Sequence, residues 1–455
     1  MNLSGKRVLV VGIARSGVAA AKSLVKQNAR VVICDRKTEK EVGAKVQELK
    51  EQGAVVAAGG YPEVGPEQFD LVVASPGIPL QIPPFQQAFA KGVPVVGEVE
   101  LAYWLKPEKL EFCAVTGTNG KTTTIALLEH IFKAGGIPTA AAGNIGTAVT
   151  SMVETLEQGI IALELSSFQL ETIGEFRPHL CGIINITPDH LDRHKTMDSY
   201  VKAKANIFKN QTAGDYCVLN AEDPLVSSLA QSCPGRTVFF SNQRVLEEGA
   251  YINEGTIEIA WKGKKLPVVK LEQSRLRGRH NEENLLCGSL LAFLAGVRTK
   301  DIAEAIKTFS GVRHRMEEIS TPGGVLYIND SKATNPDSAI KALESFSQKV
   351  ILIAGGRNKG SQFDELARVI KQHVKELILI GESSEEIRAA VMKTGFANIH
   401  MVTDFSTVVQ TAAVLAQEGD VVMLSPACAS WDMFDNYEQR GDLFCQLVRD
   451  LTRAG

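Results

Sequence analysis

The sequence predicts an α/β protein of three domains, and three observations indicate this fold class. The chain has 455 residues, enough for about three domains of ordinary size. Short apolar runs typical of buried parallel strands alternate with helical periodicity along most of the chain. Two such strands end in glycine-bearing loops that open a helix, at residues 12–17 and 117–120.

The three expected domains differ in their sheets. We expect a Rossmann-like domain over residues 1–99, and a central domain of the phosphate-loop type over 100–311 with a mostly parallel sheet plus a small antiparallel sheet. A second Rossmann-like domain is expected over 312–455. The antiparallel sheet is predicted from alternating and β-branched runs between residues 216 and 271. The strands predicted in the third domain are residues 325–329, 350–354, 377–380 and 421–424.

Composition limits the partners of this protein. A net charge of -3 gives no electrostatic reason to bind nucleic acid or an anionic membrane surface. The eight cysteines form no Cys-x-x-Cys pair, and no apolar run is long enough to span a bilayer. The amino terminus lacks the pattern of a signal peptide. We therefore expect a cytoplasmic, monomeric enzyme that acts on small molecules, without nucleic acid or membrane partners.

The first segment has the order of a mononucleotide-binding unit: strand, glycine loop, helix and second strand, the last ending at Asp35. Ala14 stands where a dinucleotide fingerprint has its second glycine, so NAD is less favoured than another nucleotide. Asp35 is compatible both with a hydrogen bond to a ribose and with a simple turn at a strand end.

The second glycine loop predicts phosphate binding. Backbone N–H groups of such a loop converge on an anion at the positive end of the following helix. Lys121 would reach the outer phosphates of a nucleotide and Thr122 would offer its hydroxyl to Mg²⁺. The full pattern requires a glycine where Val115 stands, so this is a shortened loop.

Polar residues also end the neighbouring strands of the central domain. Glu164 lies within an apolar run, which solvation does not explain, and we predict that it binds Mg²⁺. The cluster of Asp189, His190 and Asp192 is compatible with a metal site and with a capped helix start. Asn281 and Asn284 lie one helical turn apart and could contact a base or ribose, or cap the helix.

Several motifs together resemble the Mur ligase family. They are residues 116–123 (TGTNGKTT), 164–170 (ELSSFQL), 189–193 (DHLDR), His280 with Asn281 and Asn284, His314 with Arg315, 329–335 (NDSKATN) and 425–430 (SPACAS). The match runs in order through all three domains, and the NDSKATN stretch resembles the branch that adds D-glutamate. The resemblance implies that the first domain holds UDP-N-acetylmuramoyl-L-alanine, the second ATP and the third D-glutamate, with an acyl-phosphate intermediate in peptidoglycan precursor synthesis.

The resemblance also implies roles for individual residues. Lys121, His190 and Lys204 are implied as catalytic, with two Mg²⁺ ions held by Thr122, Glu164, His190 and a carbamylated Lys204. The implied ATP contacts are Gly117, Thr118, Asn119, Gly120, Lys121, Thr122, Thr123, Asn281, Asn284, Arg315, Asp330 and Lys332. The implied contacts to the UDP substrate are Ser16, Asp35, Arg36 and Asn144. The implied contacts to D-glutamate are Thr334, Lys359, Ser430, Trp431 and Tyr437.

Two departures from the family pattern concern substrate contacts. Arg36 and Lys37 follow Asp35, so contacts to the uridine are expected to differ in detail, and Trp431 stands where a smaller aliphatic residue is expected.

Other classes of protein explain fewer of the motifs in this chain. A dehydrogenase leaves Lys121 and the third domain unexplained, and a switch or transport ATPase would need no amino acid. Folylpolyglutamate synthase and an L-alanine-adding ligase are the alternatives among ligases.

Overall fold

Three sheets organise the chain, which confirms the predicted α/β class. A computed structural model describes residues 2–144, 146–276, 278–320 and 322–454. The chain divides into two compact units, Met1–Arg275 with His280–Phe309 and Leu276–Arg279 with Ser310–Gly455. The first unit contains a five-stranded and a nine-stranded sheet, and the second contains a six-stranded sheet. Because two sheets share one unit, the boundary predicted at residue 99 stays a prediction.

The first sheet is parallel throughout and has the strand order β3-β2-β1-β4-β5. Val8 and Val10 pack into one apolar cluster while Leu9 and Val11 pack into another, as the alternation of side chains along a strand requires. Helices therefore cover both faces. The elements are β1 (Arg7–Val11), α1 (Arg15–Lys26), β2 (Arg30–Asp35), α2 (Glu39–Val42), α3 (Ala44–Glu51), β3 (Val55–Ala58), β4 (Leu71–Ala74), α4 (Pro83–Lys91) and β5 (Val95–Gly97).

Helix α5 (Glu98–Leu105) links the first sheet to the second. Val99 and Ala102 pack into the core of the second sheet, whereas Leu101 packs into the core of the first. The Glu100 carboxylate, fully buried, accepts hydrogen bonds from the backbone N–H groups of Gly174, Glu175 and Phe176 at 2.7, 2.7 and 2.9 Å. One buried anion thus fixes this helix to a loop of the second sheet.

The second sheet has the order β14-β13-β12-β11-β10-β9-β6-β8-β7. We expected a separate small antiparallel sheet, and this was wrong: the antiparallel strands β12, β13 and β14 extend the edge of the parallel sheet, and β11 pairs with β10 and β12 in parallel. Alternation indicates strands but not their direction. The elements are β6 (Leu110–Thr116), α6 (Lys121–Ala134), β7 (Thr139–Gly143), α7 (Val149–Val153), β8 (Gly159–Glu164), α8 (Ser167–Leu170), β9 (Leu180–Ile183), α9 (Leu191–His194), α10 (Met197–Ala205), β10 (Tyr216–Asn220), α11 (Pro224–Ser228), β11 (Arg236–Ser241), β12 (Gly249–Asn253), β13 (Thr256–Trp261), β14 (Lys264–Lys270), α12 (Arg279–Leu294) and α13 (Thr299–Thr308).

The sheet of the second unit has the order β15-β16-β20-β17-β18-β19 and is parallel except at the β15 edge. The sequence predicted four of these strands and missed β15 and β19, which are short and lie at the two edges. The elements are β15 (Glu317–Ser320), β16 (Leu326–Asn329), α14 (Pro336–Glu344), β17 (Val350–Ala354), α15 (Asp364–His373), β18 (Val374–Ile380), α16 (Ser384–Met392), β19 (Ile399–Val402), α17 (Val408–Leu415), β20 (Val421–Leu424) and α18 (Tyr437–Ala454).

Short 3-10 helices connect some of these elements, at Asn206–Phe208, Leu229–Ser232, Leu271–Gln273, Pro322–Gly324 and Phe405–Thr407. Among the described residues, no helix has both the length and the apolar character needed to cross a membrane.

Replacing Glu100 with alanine is expected to destabilise the first unit. The change leaves three N–H groups without their acceptor, of which that of Phe176 is buried, and losing the partner of a buried group costs about 1–3 kcal/mol. We expect calorimetry to show the melting temperature of that unit lowered by roughly 5 °C or more. The control is Glu108→Ala, at an exposed position just after α5. Equal melting temperatures for the two variants would contradict this role of Glu100.

Candidate nucleotide and metal site

The shortened phosphate loop lies between β6 and α6, at the carboxyl end of the parallel strands. Gly120 is the N-cap of α6 with φ of 86°, and a Cβ there would overlap the side-chain oxygen of Asn284. Only glycine therefore fits. The loop is fixed from β9, because the N–H groups of Thr118 and Asn119 donate to the backbone and side-chain oxygens of Asn185, both at 2.9 Å.

Two lysines converge on one carbonyl of this loop. Lys121 Nζ donates to the Gly117 oxygen at 2.8 Å and to the Thr118 oxygen at 2.7 Å. Lys204 Nζ, on α10, donates to the same Gly117 oxygen at 2.7 Å. Lys204 is only 2% exposed, and burial, followed by the charge of Lys121, lowers its pKa well below the usual range. The buried position thus disfavours the charged form of the Lys204 side chain.

Tyr200 completes this arrangement and was missed by the sequence reasoning. Its hydroxyl lies 3.3 Å from Thr118 Oγ1, and Lys204 Nζ lies 4.6 Å from the centre of its ring. Tyr200 precedes Lys204 by four residues, so the two side chains share a helix face. That spacing was the signal from which the tyrosine could have been found.

Glu164 joins the phosphate loop to two further strands. Its Oε2 accepts from Thr122 Oγ1 at 2.9 Å, and its Oε1 accepts from Asn144 Nδ2 at 2.8 Å. The carboxylate is 1% exposed. Asn144, predicted to contact the UDP substrate, therefore lies beside Glu164. The backbone oxygen of Asn144 accepts from Arg15 Nη2 at 3.3 Å, which links this cluster to the first glycine loop.

The residues here fit a magnesium ion. Thr122 and Glu164 supply a hydroxyl and a carboxylate, which are hard oxygen donors. Within the described ranges there is no group of three or more His, Cys, Asp and Glu residues that could hold a metal alone. Magnesium is commonly bound through one or two carboxylates together with substrate phosphates, so a sparse protein set suits it better than zinc.

His190 lies in a strained turn before α9. It has φ of 52°, which is uncommon outside glycine, and its N–H donates to Asp189 Oδ1 at 2.9 Å. Its imidazole is about half exposed and contacts the Phe168 ring at 4.8 Å between centroids. The side chain of Asp192 lies outside the part of the chain that the structure describes, so the proposed three-residue cluster cannot be assembled.

The two asparagines of α12 pack against the phosphate-loop helix. Asn284 Oδ1 accepts from Thr124 Oγ1 at 3.2 Å, and Asn284 Nδ2 donates to Asn281 Oδ1 at 2.9 Å. Both residues are buried, as is Thr123 in the first turn of α6. The structure therefore places Asn281 and Asn284 beside the phosphate-loop helix, and their contact with a nucleotide stays a prediction.

At the first glycine loop, the Asp35 carboxylate has a structural role. It accepts from the N–H groups of Ile13 at 2.8 Å and Lys37 at 3.0 Å, so it holds the loop and the turn after β2. Ser16 lies in the first turn of α1, and Arg36 is exposed beside Asp35. Contact with a substrate by these residues stays a prediction.

The polar loops of the second unit surround Asp330. Asp330 Oδ2 accepts from Ser425 Oγ at 2.8 Å, and Oδ1 accepts from the Met316 N–H at 3.3 Å. Burial raises the pKa of this carboxyl to about 7. The hydrogen bond from Ser425 and the charge of Arg315 act in the opposite direction and lower it. Arg315 lies between His314 and Met316, whose φ values are 62° and 48°, so its backbone is held by strained neighbours.

The candidate amino-acid contacts lie on adjoining loops of the same unit. Lys332 Nζ lies 5.8 Å from the centre of the Tyr437 ring, and Lys359 Nζ lies 5.4 Å from that of Trp431. Ser430 is buried, while Trp431 is 57% exposed. The N–H of Thr334 donates to the Lys332 oxygen at 2.9 Å.

Arg440 supports these loops and was missed by the sequence reasoning. It is 1% exposed, and it donates to Ser331 Oγ at 2.9 Å, to the Ser331 oxygen at 2.8 Å and to the Cys428 oxygen at 3.2 Å. Burial lowers its pKa to about 10. An arginine on a terminal helix carries no motif, so no signal in the sequence marked it.

Three family models from known proteins match this chain, one in the region of each of the three sheets. The Mur ligase MurD-like N-terminal domain matches residues 6–97, the Mur ligase middle domain matches 115–292, and the Mur ligase glutamate ligase domain matches 314–428. The UDP-N-acetylmuramoylalanine–D-glutamate ligase of Pelotomaculum thermopropionicum is 45% identical over 450 residues, 99% of this chain and 98% of that one. The enzyme of that name in Clostridioides difficile is 42% identical over 99% of this chain and 100% of its own.

The chain belongs to the Mur ligase family. Solved structures of other family members share its fold at low sequence identity. The UDP-N-acetylmuramate-alanine ligase of Thermotoga maritima is 21% identical, with a TM-score of 0.60 over 99% of this chain and all of that one. A MurF structure from Acinetobacter baumannii is 15% identical, with a TM-score of 0.61 over 97% and 93%.

The buried carboxyl of Asp330 gives a prediction about pH. An exposed aspartate has a pKa of about 3.9, so between about pH 4 and 7 the folded protein retains a proton that the unfolded chain releases. The stability contributed by this proton is complete below about pH 4 and is lost as pH rises through about 7. Asp330→Asn removes this dependence.

We expect the melting temperature of Asp330→Asn, relative to the unsubstituted protein, to rise by roughly 3 °C or more between pH 5 and pH 8. Thermal melts across that range measure it. Asp364→Asn, at an exposed position of the same unit, serves as the control. A constant difference for Asp330→Asn would show that this carboxyl does not titrate there.

Proposed function

We propose that this protein joins D-glutamate to UDP-N-acetylmuramoyl-L-alanine and converts ATP to ADP and phosphate. The observation that carries the proposal is the convergence of Lys121, Lys204 and the Thr122–Glu164 pair on one phosphate loop. The names of the relatives at 45% and 42% identity support the choice of substrates. The product is a peptidoglycan precursor, and the protein acts on small molecules as a cytoplasmic monomer.

In the first half-reaction the substrate carboxylate attacks the terminal phosphorus of ATP, giving an acyl phosphate and ADP. Two anions must approach each other, so cationic and N–H groups are needed around the transferred phosphoryl group. Lys121 can turn from the Gly117 and Thr118 oxygens to the phosphate oxygens. Thr122 and Glu164 would hold a magnesium ion, which when bound supplies positive charge to the phosphate oxygens.

In the second half-reaction the amine of D-glutamate attacks the acyl carbon and releases phosphate. We assign recognition of the amino acid to Thr334, Lys359, Ser430, Trp431 and Tyr437. Lys359 provides a cation for a carboxylate, and its position over the Trp431 ring keeps the side chain oriented. The nucleotide contacts assigned outside the loop are Asn281, Asn284, Arg315, Asp330 and Lys332, and those to the UDP substrate are Ser16, Asp35, Arg36 and Asn144.

Lys204 is assigned as a carbamate. The neutral amine adds to the carbon of CO₂, and the nitrogen loses a proton, which leaves one negative charge on the side chain. This reaction requires an unprotonated amine, which burial and the neighbouring Lys121 favour. The carbamate would supply an anion toward a second magnesium ion, to which we also assign His190.

The proposed activity is tested by measuring phosphate release with a panel of amino acids. We expect turnover to require ATP, UDP-N-acetylmuramoyl-L-alanine and D-glutamate together, because each half-reaction needs its own partner. L-Glutamate, L-alanine and D-alanine should each give less than about 1% of this rate, since a misplaced carboxylate or amine loses several kcal/mol of transition-state binding. Equal turnover with L-alanine, with a folate, or with no amino acid would refute the proposal.

The carbamate is tested by the dependence of activity on CO₂. Activity should fall at least roughly tenfold in CO₂-free buffer and return on addition of bicarbonate, because an amine cannot replace the missing anion. With ¹³C-bicarbonate, a carbamate carbon resonance should appear in the native protein and in Lys202→Ala, an exposed neighbour on α10, but not in Lys204→Ala. The same resonance in Lys204→Ala would exclude this lysine.

A further inference from the structure

We propose that Glu171 is a positioning residue, which holds His190 in its left-handed conformation through a clamp made of Phe168, Glu171, Arg193 and His194. The inference rests on the proposed function, because it concerns how His190 is presented to the reaction. It assigns roles to Phe168 within the ELSSFQL segment, to Glu171 directly after that segment, and to Arg193 and His194.

The segment that carries His190 is not stable by itself. Helix α9 is a single turn, and its internal hydrogen bonds join the N–H groups of Arg193, His194 and Lys195 to the oxygens of His190 and Leu191 at 3.0–3.1 Å. His190 and Lys195, one at each end, have φ of 52° and 68°. A non-glycine residue with positive φ is strained, and an isolated helical turn has no cooperative stability. External contacts must therefore hold it.

Glu171 supplies two such contacts from the end of α8. Its Oε2 lies 2.6 Å from Arg193 Nη2, and its Oε1 lies 3.4 Å from His194 Nδ1. The side chains of Glu171, Arg193 and His194 are 22%, 18% and 3% exposed. The partly buried pair of Glu171 and Arg193 is screened by salt less than a surface ion pair. Its loss is therefore expected to destabilise the α9 turn.

Three side chains of the α9 turn pack against the ring of Phe168. The Arg193 guanidinium lies 4.1 Å from the centre of the ring, His190 meets it edge-on at 4.8 Å, and His194 stacks on it at 5.5 Å. Glu171 keeps Arg193 and His194 in place over the ring. Because Arg193 and His194 are held, the Phe168 ring stays in one position, and the imidazole of His190 packs against it in one orientation.

Two outer contacts fix the clamp to the rest of the unit. His194 Nε2 lies 2.9 Å from Ser167 Oγ, and Arg193 Nη1 donates to the Pro76 oxygen at 3.3 Å, in the loop after β4 of the first sheet. The short segment between Glu164 and Glu171 thus carries both the carboxylate beside Thr122 and the carboxylate that positions His190. The distance between the Glu164 carboxylate and the Glu171 carboxylate is therefore fixed by one short stretch of backbone.

The test compares Glu171→Gln with Glu248→Gln. The control removes the charge of another arginine partner, because the exposed side chain of Glu248 pairs with that of Arg236 at the start of β11. In the protein without ligands, hydrogen exchange followed by mass spectrometry should be at least ~10-fold faster in the peptide covering Arg193, His194 and Lys195 for Glu171→Gln only. Steady-state kinetics should show kcat lowered at least ~10-fold, with KM for D-glutamate within about twofold. Glu171→Asp should recover part of both effects.

The outcomes separate the two proposals. If the unsubstituted protein has no D-glutamate-dependent turnover, the proposed function fails, and the exchange result still decides whether Glu171 holds the turn. If turnover is present and Glu171→Gln matches Glu248→Gln in exchange and in kcat, the positioning role is refuted. Should Glu171→Gln fail to fold, Arg193→Lys tests the same contact, because it keeps the charge but loses the planar group over Phe168. Unchanged exchange in that variant would overturn the proposal.

Discussion

The carboxylate of Glu164 is the interaction on which the candidate site depends. Each of its oxygens is used, one by Thr122 on the phosphate-loop helix and the other by Asn144 after β7, so three neighbouring strand ends are held at fixed separation. A buried carboxylate without partners would be strongly unfavourable, and here hydrogen bonds replace its hydration. The same group is a carboxylate, the kind of hard oxygen donor that suits Mg²⁺.

Two other ionisable groups, one in each unit, have pKa values that burial shifts away from their usual range. Burial lowers the pKa of Lys204, and burial raises the pKa of Asp330 to about 7. Shifts of this kind concentrate at functional sites because reactivity needs groups poised near the working pH. The two cases differ in chemistry. An uncharged amine is a nucleophile, whereas a protonated carboxyl is a hydrogen-bond donor.

Most of the fold could be predicted because its strands are buried on both faces and read as continuous apolar runs ended by glycine or polar loops. The direction of β11 could not, since the alternation of side chains along a strand does not show whether its neighbours run parallel or antiparallel to it. Within the site, Lys121, Thr122, Glu164 and Asn284 were found from strand ends and helix spacing. Arg440 and the contact between Asp35 and Ile13 were not, because they depend on tertiary packing. The roles of His190 and Lys204 came only from family resemblance.

The antiparallel extension of the second sheet leaves β14 as its last strand. An outermost strand offers unpaired backbone groups to any other extended chain, and long flat ones promote fibril-like association. The sequence of β14 opposes this, since Lys264, Lys265 and Lys270 place positive charge at both ends and Pro267 removes one backbone donor. A large parallel sheet, slow to form and exposed while folding, thus ends in a strand that repels its own copies.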